Sequence, residues 1–463
     1  MSSLFSVSIN NFIKNPKKIF YHGFSSKLNG HDCEKNLKKI SSFLRKNKVN
    51  SIGICCKNNI NWPLWYLASN QFCKDIYILN PNYPKRIINK IQKRYKINLI
   101  IYKMDHKKIV SEKLKILRFK NHFIKNKTKN NILFTSGTSD IPKGVIINNF
   151  AYTYVANFLI KSLKQNKNDI ELLSMPFNHS FGITRLRCVL LSGSSALITD
   201  GLKNFPYIYS FTKKIKLTGL SMVPSGIEII KNLLKKKASL FSKNIKYFEI
   251  GSSSLSTDLR YWLKKNFKKT KILHHYGTTE ASRSFIRLRG KDDNLNISNN
   301  WIGKNMSKVK YKIINNELLV KGKNLFSGYL ESGDHKKFSG WFNTGDNCEV
   351  KNDRVFIKGR IDNQLNVGGQ KIQAEFLENL IEKDPKIREC LCFQKKDKVL
   401  INKIVCLLHM KKNQNSENLK KSVLKSLNSY PSYYQPSEIK IEKNIPKTLN
   451  GKKIRDLKIL NKY

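Results

Sequence analysis

Short apolar runs alternate along the chain with segments whose apolar residues recur at helical spacing. In EKNLKKISSFLRK (34–46), Leu37, Ile40, Phe43 and Leu44 fall on one face of a helix. SIGICC (51–56) is a continuous apolar run of strand length, and NINWPLWYLASNQF (59–72) follows as helix. IYIL (76–79), a basic helix and NLIIY (98–102) continue the alternation. It resumes at LLSM (172–175), SALI (195–198), YFEI (247–250) and KILH (271–274), with helices over 224–236 and 256–266. Strands alternating with helices predict largely parallel sheets with helices on their faces.

After about residue 300 the pattern changes to short strands, VKYKII, ELLVKG and RVFIKG. Beyond 360 it predicts a helix (374–382), strands (389–394 and 402–409), a helix (416–428) and a last strand at EIKIE. The expected fold is α/β: a large N-terminal body with mostly parallel sheets over 1–358, and a small mobile α+β lid over 359–463. No internal repeat or long low-complexity segment interrupts it.

Composition narrows the function. A chain of 463 residues with 40% hydrophobic residues has ample apolar surface for a buried core. No run approaches the ~18 uncharged apolar residues of a membrane helix, so no membrane insertion is expected. The opening MSSLFSVSINNFIKNPKKIF lacks the basic-then-apolar order of a secretory signal, and a soluble, cytoplasmic protein is expected. Nine cysteines without a CxxC pair argue against a disulfide framework or zinc ribbon; Cys55, Cys56, Cys390 and Cys392 are expected to be reduced core thiols.

The net charge of +55 raises the question of nucleic acid. Lysine is spread from end to end, however, alongside abundant Asn, Ile, Tyr and Phe, as AT-biased codons produce. The nearest basic block, KNHFIKNKTKNN (120–131), is expected to be a solvated linker. Nucleic acid is therefore not the expected partner, although a basic surface suits an acidic protein.

ILFTSGTSDIPKGV (132–145) joins a strand to a loop of small hydroxyl residues and glycine. Such a loop lets backbone N–H groups approach phosphate oxygens, and a lysine neutralises their charge. Pro142 precedes Lys143 and Gly144 follows it, so this is not a Walker loop. The order T-S-G-T-S-x-x-P-K-G resembles the phosphate loop of the acyl-adenylate-forming superfamily, which includes acyl-CoA synthetases and peptide-synthetase adenylation domains. Further segments resemble that family's signatures in the same order: MPFNHSFG (175–182), GSSSL (251–255), HHYGTTE (274–280), ELLVKGKNLFSGYL (317–330), WFNTGD (341–346), GRIDNQLNVGGQKI (359–372) and PKTLNGKKIR (446–455).

The resemblance implies ATP-dependent activation of a carboxylic acid to acyl-AMP with release of pyrophosphate. The acyl group then passes to a thiol, either coenzyme A or the phosphopantetheine of an acidic acyl carrier protein. Thr135, Ser136, Gly137, Thr138, Ser139 and Lys143 match the family's phosphate-binding residues. Thr279 matches a phosphate-contacting hydroxyl and Glu280 the Mg²⁺ ligand, a hard oxygen donor suited to that ion. Tyr276 and Gly277, with Gly251 and Ser252, match the adenine site. Asp346 matches the acid that accepts the ribose hydroxyls, and Arg360 a ribose- or phosphate-contacting arginine. His179 matches an acyl-pocket histidine and Lys452 the catalytic lysine; its neighbour Lys453 is the easy mis-assignment. Asp362 matches the hinge and Gly369 the wall of the thiol tunnel, since the family's lid rotates between half-reactions.

Asp140 departs from the family's usual glycine and predicts weaker ATP use, because a carboxylate there repels triphosphate. PFNHSFG holds no aspartate to pair with a substrate ammonium, which favours an acid lacking an α-ammonium group over the alternative of an amino-acid-adenylating enzyme. The other alternative is a non-catalytic binding protein that keeps the fold. Arg283 and Arg185 are candidates to select a second polar group, Arg185 equally a surface residue. His274 and His275 are adjacent on a strand and point to opposite faces, which excludes a metal pair.

Overall fold

The computed structural model describes the chain apart from residues 1–2, 105–115, 118–128, 136–141, 289–299, 331–337, 368–369, 398–400, 412–415, 429, 431, 448–452, 456 and 461–462. It divides into two compact units, Met1–Lys310 with Val320–Phe342, and Tyr311–Leu319 with Asn343–Tyr463.

The first unit holds two large sheets. The nine-stranded sheet has six adjacent parallel strands, in the order Lys271–Tyr276, Tyr247–Ile250, Gly219–Met222, Ile170–Leu173, Ser195–Ile198 and Ile19–His22. Antiparallel strands close both edges. The apolar runs read as strands are buried on both faces, as a sheet covered by helices requires. Helices Phe205–Lys214, Pro224–Leu234 and Thr257–Asn266 bury Ile208, Ile227, Ile230 and Leu263 against Leu220, Phe248 and Ile250.

Local chemistry sets where these helices begin. Asn29 and Asp32 exchange backbone bonds in a capping box at the start of Gly30–Lys46. Pro224 stands at the first position of its helix, where its missing N–H costs nothing. Leu37, Ile40 and Leu44 are buried as the pattern predicts, while Phe43 is half-buried and meets Trp65 edge-on.

The six-stranded sheet runs parallel through Asn130–Thr135, Asp75–Ile78, Ser51–Ile54 and Leu99–Ile101, and antiparallel through Lys143–Asn148 and Gly328–Tyr329. One expectation changes here. The basic run 120–131 is not linker throughout, because Asn130 and Asn131 begin a strand. Asn131 is fully buried and accepts a hydrogen bond from the Tyr66 hydroxyl at 2.8 Å.

The second unit carries a four-stranded sheet, Lys310–Ile314, Glu317–Lys321, Phe342–Lys351 and Arg354–Arg360. A ribbon of Gln364–Val367 and Gln370–Gln373 follows. The three-stranded sheet of Ile387–Asp397, Ile401–Met410 and Glu438–Ile441 packs with helices Ala374–Ile381 and Ser416–Leu427 around Leu377, Ile404, Leu408 and Val423. All nine cysteines are free and buried, Cys55, Cys56, Cys390 and Cys392 among them.

Candidate active site

Parallel α/β sheets present ligands with the crevice beyond the carboxyl ends of their strands. In the nine-stranded sheet those ends lead into 174–182, 223–226, 251–256 and 277–283, which hold the expected site residues His179, Gly251, Ser252, Gly277, Thr279 and Glu280. Gly251 follows Tyr247–Ile250 directly, and a Cβ there would stand 2.1 Å from Cε1 of His275, so only glycine admits that ring. Ser252 takes a left-handed φ of +80° and is exposed.

Tyr276 ends its strand half-buried, opposite Phe285, with the two rings edge-on at 6.0 Å. The next residues fold back tightly: a Cβ on Gly277 would meet the Ser282 carbonyl at 1.2 Å. The Thr278 hydroxyl accepts from the Ala281 N–H at 3.1 Å, which holds Thr279 and Glu280 at the tip of the turn. His179 occupies the cap position of helix Ser180–Ser192, half-buried, with its N–H bonded to the Pro176 carbonyl at 3.1 Å.

Thr135 and Lys143 face each other as the last register pair of an antiparallel hairpin. Lys143 Nζ lies 3.4 Å from the centroid of the Tyr329 ring. The Tyr329 hydroxyl in turn donates to Glu280 Oε1 at 3.1 Å, and the Phe326 N–H donates to the Glu280 carbonyl at 2.7 Å. Gly144 permits this approach, since a Cβ there would meet Leu330 at 2.4 Å. Tyr329, which the sequence reading did not single out, thus contacts two of the expected site residues, Lys143 and Glu280. Its only signal was its place in the SGYL run of a quoted signature.

Beneath these segments lies a buried ionic network. Arg185 donates to Glu171 through Nε at 2.8 Å and Nη2 at 2.5 Å, and its Nη1 lies 3.2 Å from Glu249 Oε2. Arg283 Nε lies 3.0 Å from Glu249 Oε1, with its other nitrogens bonded to the Ser180 and Phe181 carbonyls. Both arginines are therefore consumed internally. Arg185 is neither a surface residue nor a substrate selector, and Arg283 instead ties the 277–283 turn to the helix that follows His179.

Burial alone raises the Glu249 carboxyl, but Arg283, His275 and Arg185 outweigh it and hold the group well below the carboxylate range. His275 Nδ1 lies 2.8 Å from Glu249 Oε1, while His274 Nε2 bonds the Ser253 carbonyl at 2.9 Å, so the two rings serve separate partners. Burial, with Arg283 nearby, lowers His275 below its ordinary value.

In the second unit Asp346 and Arg360 are register partners, and Arg360 Nη1 lies 3.2 Å from Asp346 Oδ1. Arg360 also donates to the Thr344 carbonyl at 2.6 Å and through Nε to Asp362 Oδ1 at 3.3 Å. Gly345, at φ +71°, passes beneath that guanidinium, where a Cβ would approach Nη2 to 2.7 Å. Asp362 is exposed, in a single 3₁₀ turn over Ile361–Asn363.

Lys453 is committed to structure. Its Nζ donates to Glu378 Oε2 at 3.1 Å, Glu382 Oε1 at 2.9 Å and the Cys390 carbonyl at 2.5 Å. Burial lowers its pKa, but the two carboxylates outweigh that and raise it overall. Ser136, Gly137, Thr138, Ser139, Asp140, Gly369 and Lys452 lie outside the described residues.

The family described as AMP-binding enzyme matches residues 11–330, and the chain belongs to that family. It is 24% identical to the 2-succinylbenzoate–CoA ligase of Haemophilus influenzae, over 87% of each chain. It is 25% identical to the D-alanine–D-alanyl carrier protein ligase of Bacillus licheniformis, over 69% of this chain and 68% of that one. Among solved structures, the o-succinylbenzoate CoA synthetase of Bacillus subtilis, in complex with its acyl-adenylate intermediate, shares the fold with a TM-score of 0.81 at 17% identity, over 97% of each chain. The protein is an AMP-forming acid–thiol ligase, which uses ATP to make an acyl-adenylate and passes the acyl group to a thiol. Among the described residues no helix is long and apolar enough to cross a membrane.

Proposed function

We propose that this ligase activates a small carboxylic acid that carries no α-ammonium group. One observation carries the proposal. The segments 174–184, 223–226, 251–256 and 277–283 contain a single carboxylate, Glu280, which this reading gives to Mg²⁺. The nearby buried carboxylates Glu171 and Glu249 are bound to Arg185 and Arg283. A substrate ammonium would find no free anion among these groups, and an unpaired buried charge is strongly disfavoured.

Adenylation brings a carboxylate against an anionic α-phosphate, so positioning and charge neutralisation dominate. A carboxylate oxygen forms the new bond to the α-phosphorus, and the bond to the bridging oxygen of pyrophosphate breaks. In this reading Lys143 and the 135–144 loop hold the β- and γ-phosphates, and Thr279 offers its hydroxyl to phosphate. Asp346 accepts the ribose hydroxyls, with Arg360 restraining its carboxylate from the facing strand. Tyr276, Gly277, Gly251 and Ser252 frame the adenine, and His179 lines the acyl pocket. Lys452 bridges the α-phosphate and the reacting carboxylate, and Lys453, held by three internal partners, leaves that role to its neighbour.

Mg²⁺ suits Glu280, whose hard oxygens lie beside the hydroxyl-rich 277–280 turn; when bound, the ion neutralises phosphate charge. In the second half-reaction the thiol sulfur attacks the acyl carbonyl and AMP departs. We assign the lid to 359–463, turning at the exposed Asp362, with Gly369 on the thiol path. The thiol is coenzyme A or a phosphopantetheine.

Incubation with MgATP, coenzyme A and a panel of aliphatic, aryl, keto and amino acids, followed by mass spectrometry of thioesters, tests the proposal. Thioesters form from acids without an α-ammonium group. Preferential turnover of amino acids overturns it.

A further inference from the structure

The lid strands Ile387–Asp397 and Ile401–Met410 bring Cys390, Cys392 and Cys406 together, although Cys406 lies far from the other two in sequence. Cys390 and Cys392 are two residues apart on one strand and share a face. Cys406 is the register partner of Cys392 on the antiparallel neighbour. The Cys390 and Cys392 sulfurs are 3.6 Å apart, those of Cys392 and Cys406 3.1 Å, and all three lie within 4.8 Å of one another. Each residue is fully buried, within the apolar cluster of Leu377, Ile404, Leu408 and Val423.

We propose that Cys390, Cys392 and Cys406 form a three-thiolate site for a soft monovalent cation, Cu(I). Three sulfurs converge on one point, whereas a disulfide would engage two and leave the third idle. The donor set is all sulfur, and soft thiolates select Cu(I) among biological metals. Structural zinc takes four ligands, and among the described residues no fourth histidine, cysteine or carboxylate joins the group. Apolar surroundings exclude water as a further ligand.

Cations flank the cluster from the polar edge of the same strand: Lys453 Nζ donates to the Cys390 carbonyl and Arg455 Nη1 to the Cys392 carbonyl at 2.8 Å. Both cations also pair with Glu378, so they offset only part of the negative charge a thiolate cluster acquires. Binding is ligand exchange without redox. Cu(I) leaves its chelator, three metal–sulfur bonds form, the thiol protons pass to chelator or buffer, and the copper stays Cu(I). This inference does not depend on the substrate assignment.

The test is anaerobic titration of the full chain with Cu(I) held by bicinchoninate as competitor. One equivalent transfers to the wild type and to Cys33→Ser, which alters a buried thiol elsewhere. Cys392→Ser weakens transfer by more than about tenfold, as loss of a ligand demands, and Cys390→Ser and Cys406→Ser do the same. Circular dichroism limits the comparison to folded variants. Should none fold, X-ray absorption of the loaded wild type decides, with three sulfur neighbours expected. No transfer, transfer indifferent to these cysteines, a two-sulfur spectrum, or tighter retention of Zn(II) overturns the proposal.

Discussion

The Tyr329 hydroxyl donates to Glu280 Oε1 across 3.1 Å, while the same ring carries Lys143 Nζ 3.4 Å from its centroid. One side chain therefore links the lysine assigned to phosphate to the carboxylate assigned to Mg²⁺. Tyr329→Phe keeps the ring and removes the donor. A hydrogen bond to a charged group contributes about 1.5–3 kcal/mol, and half-burial places the effect at the low end. The expected result is a rise of roughly tenfold in the Mg²⁺ concentration needed for half-maximal adenylation. Tyr329→Leu also loses the cation contact and raises the KM for ATP further. Unchanged Mg²⁺ dependence in Tyr329→Phe contradicts the assignment.

Asp346 and Arg360 face each other across paired strands, which fixes the carboxylate expected to take the ribose. Asp346→Asn keeps the shape and loses the charge. Its KM for ATP rises about tenfold, with the KM for the acid unchanged. Steady-state kinetics in each substrate checks the split, and a matching rise in both constants counts against the ribose role.

Glu249 joins Arg185, Arg283 and His275 in the core of the first unit. Glu249→Gln removes the buried carboxylate that pairs with Arg283, while Arg185 keeps Glu171. Removing one partner from such a group costs about 3–5 kcal/mol. The urea midpoint of the variant falls accordingly, and an unmoved midpoint would show that the network contributes nothing to stability.

Histidine protonation sets an acid limit. Burial, with His275 and two arginines nearby, holds His274 at about 4 despite its bond to the Ser253 carbonyl, and burial with Lys27 beside it holds His22 at about 4 as well. Between pH 6.5 and 4 the unfolded chain binds protons at these sites that the folded chain does not. Stability therefore falls as pH drops through that window. Glu249, depressed in the folded state, adds a further loss below its ordinary pKa of 4.5. Denaturation midpoints across pH check the slope, which His274→Gln flattens.

The body's strands and helices were legible because each is a local pattern: YFEI and LLSM are short, mostly apolar runs, and the helix over 34–46 repeats its apolar face. The hydroxyl-rich loop and the TGD acid were singled out by their resemblance to the family's signatures. What escaped was pairing at a distance. Nothing local in TRLRC tells that Arg185 meets Glu171 and Glu249, so it read as substrate-selecting or exposed. Asn131 looked like the end of a basic linker until Tyr66 supplied a buried partner. Tyr329 passed unnoticed because its value arises only when Lys143 and Glu280 converge on it.

The assignment of Lys452 over Lys453 is the central claim, and carboxylate-dependent ATP–pyrophosphate exchange tests it most directly. Lys453→Ala loses three internal bonds, so its unfolding midpoint falls while exchange persists in the folded fraction. Lys452→Ala keeps the wild-type midpoint and loses exchange by more than about a hundredfold, the scale of removing one charge-stabilising group from a transition state. Exchange that survives in Lys452→Ala, or vanishes in folded Lys453→Ala, contradicts the account.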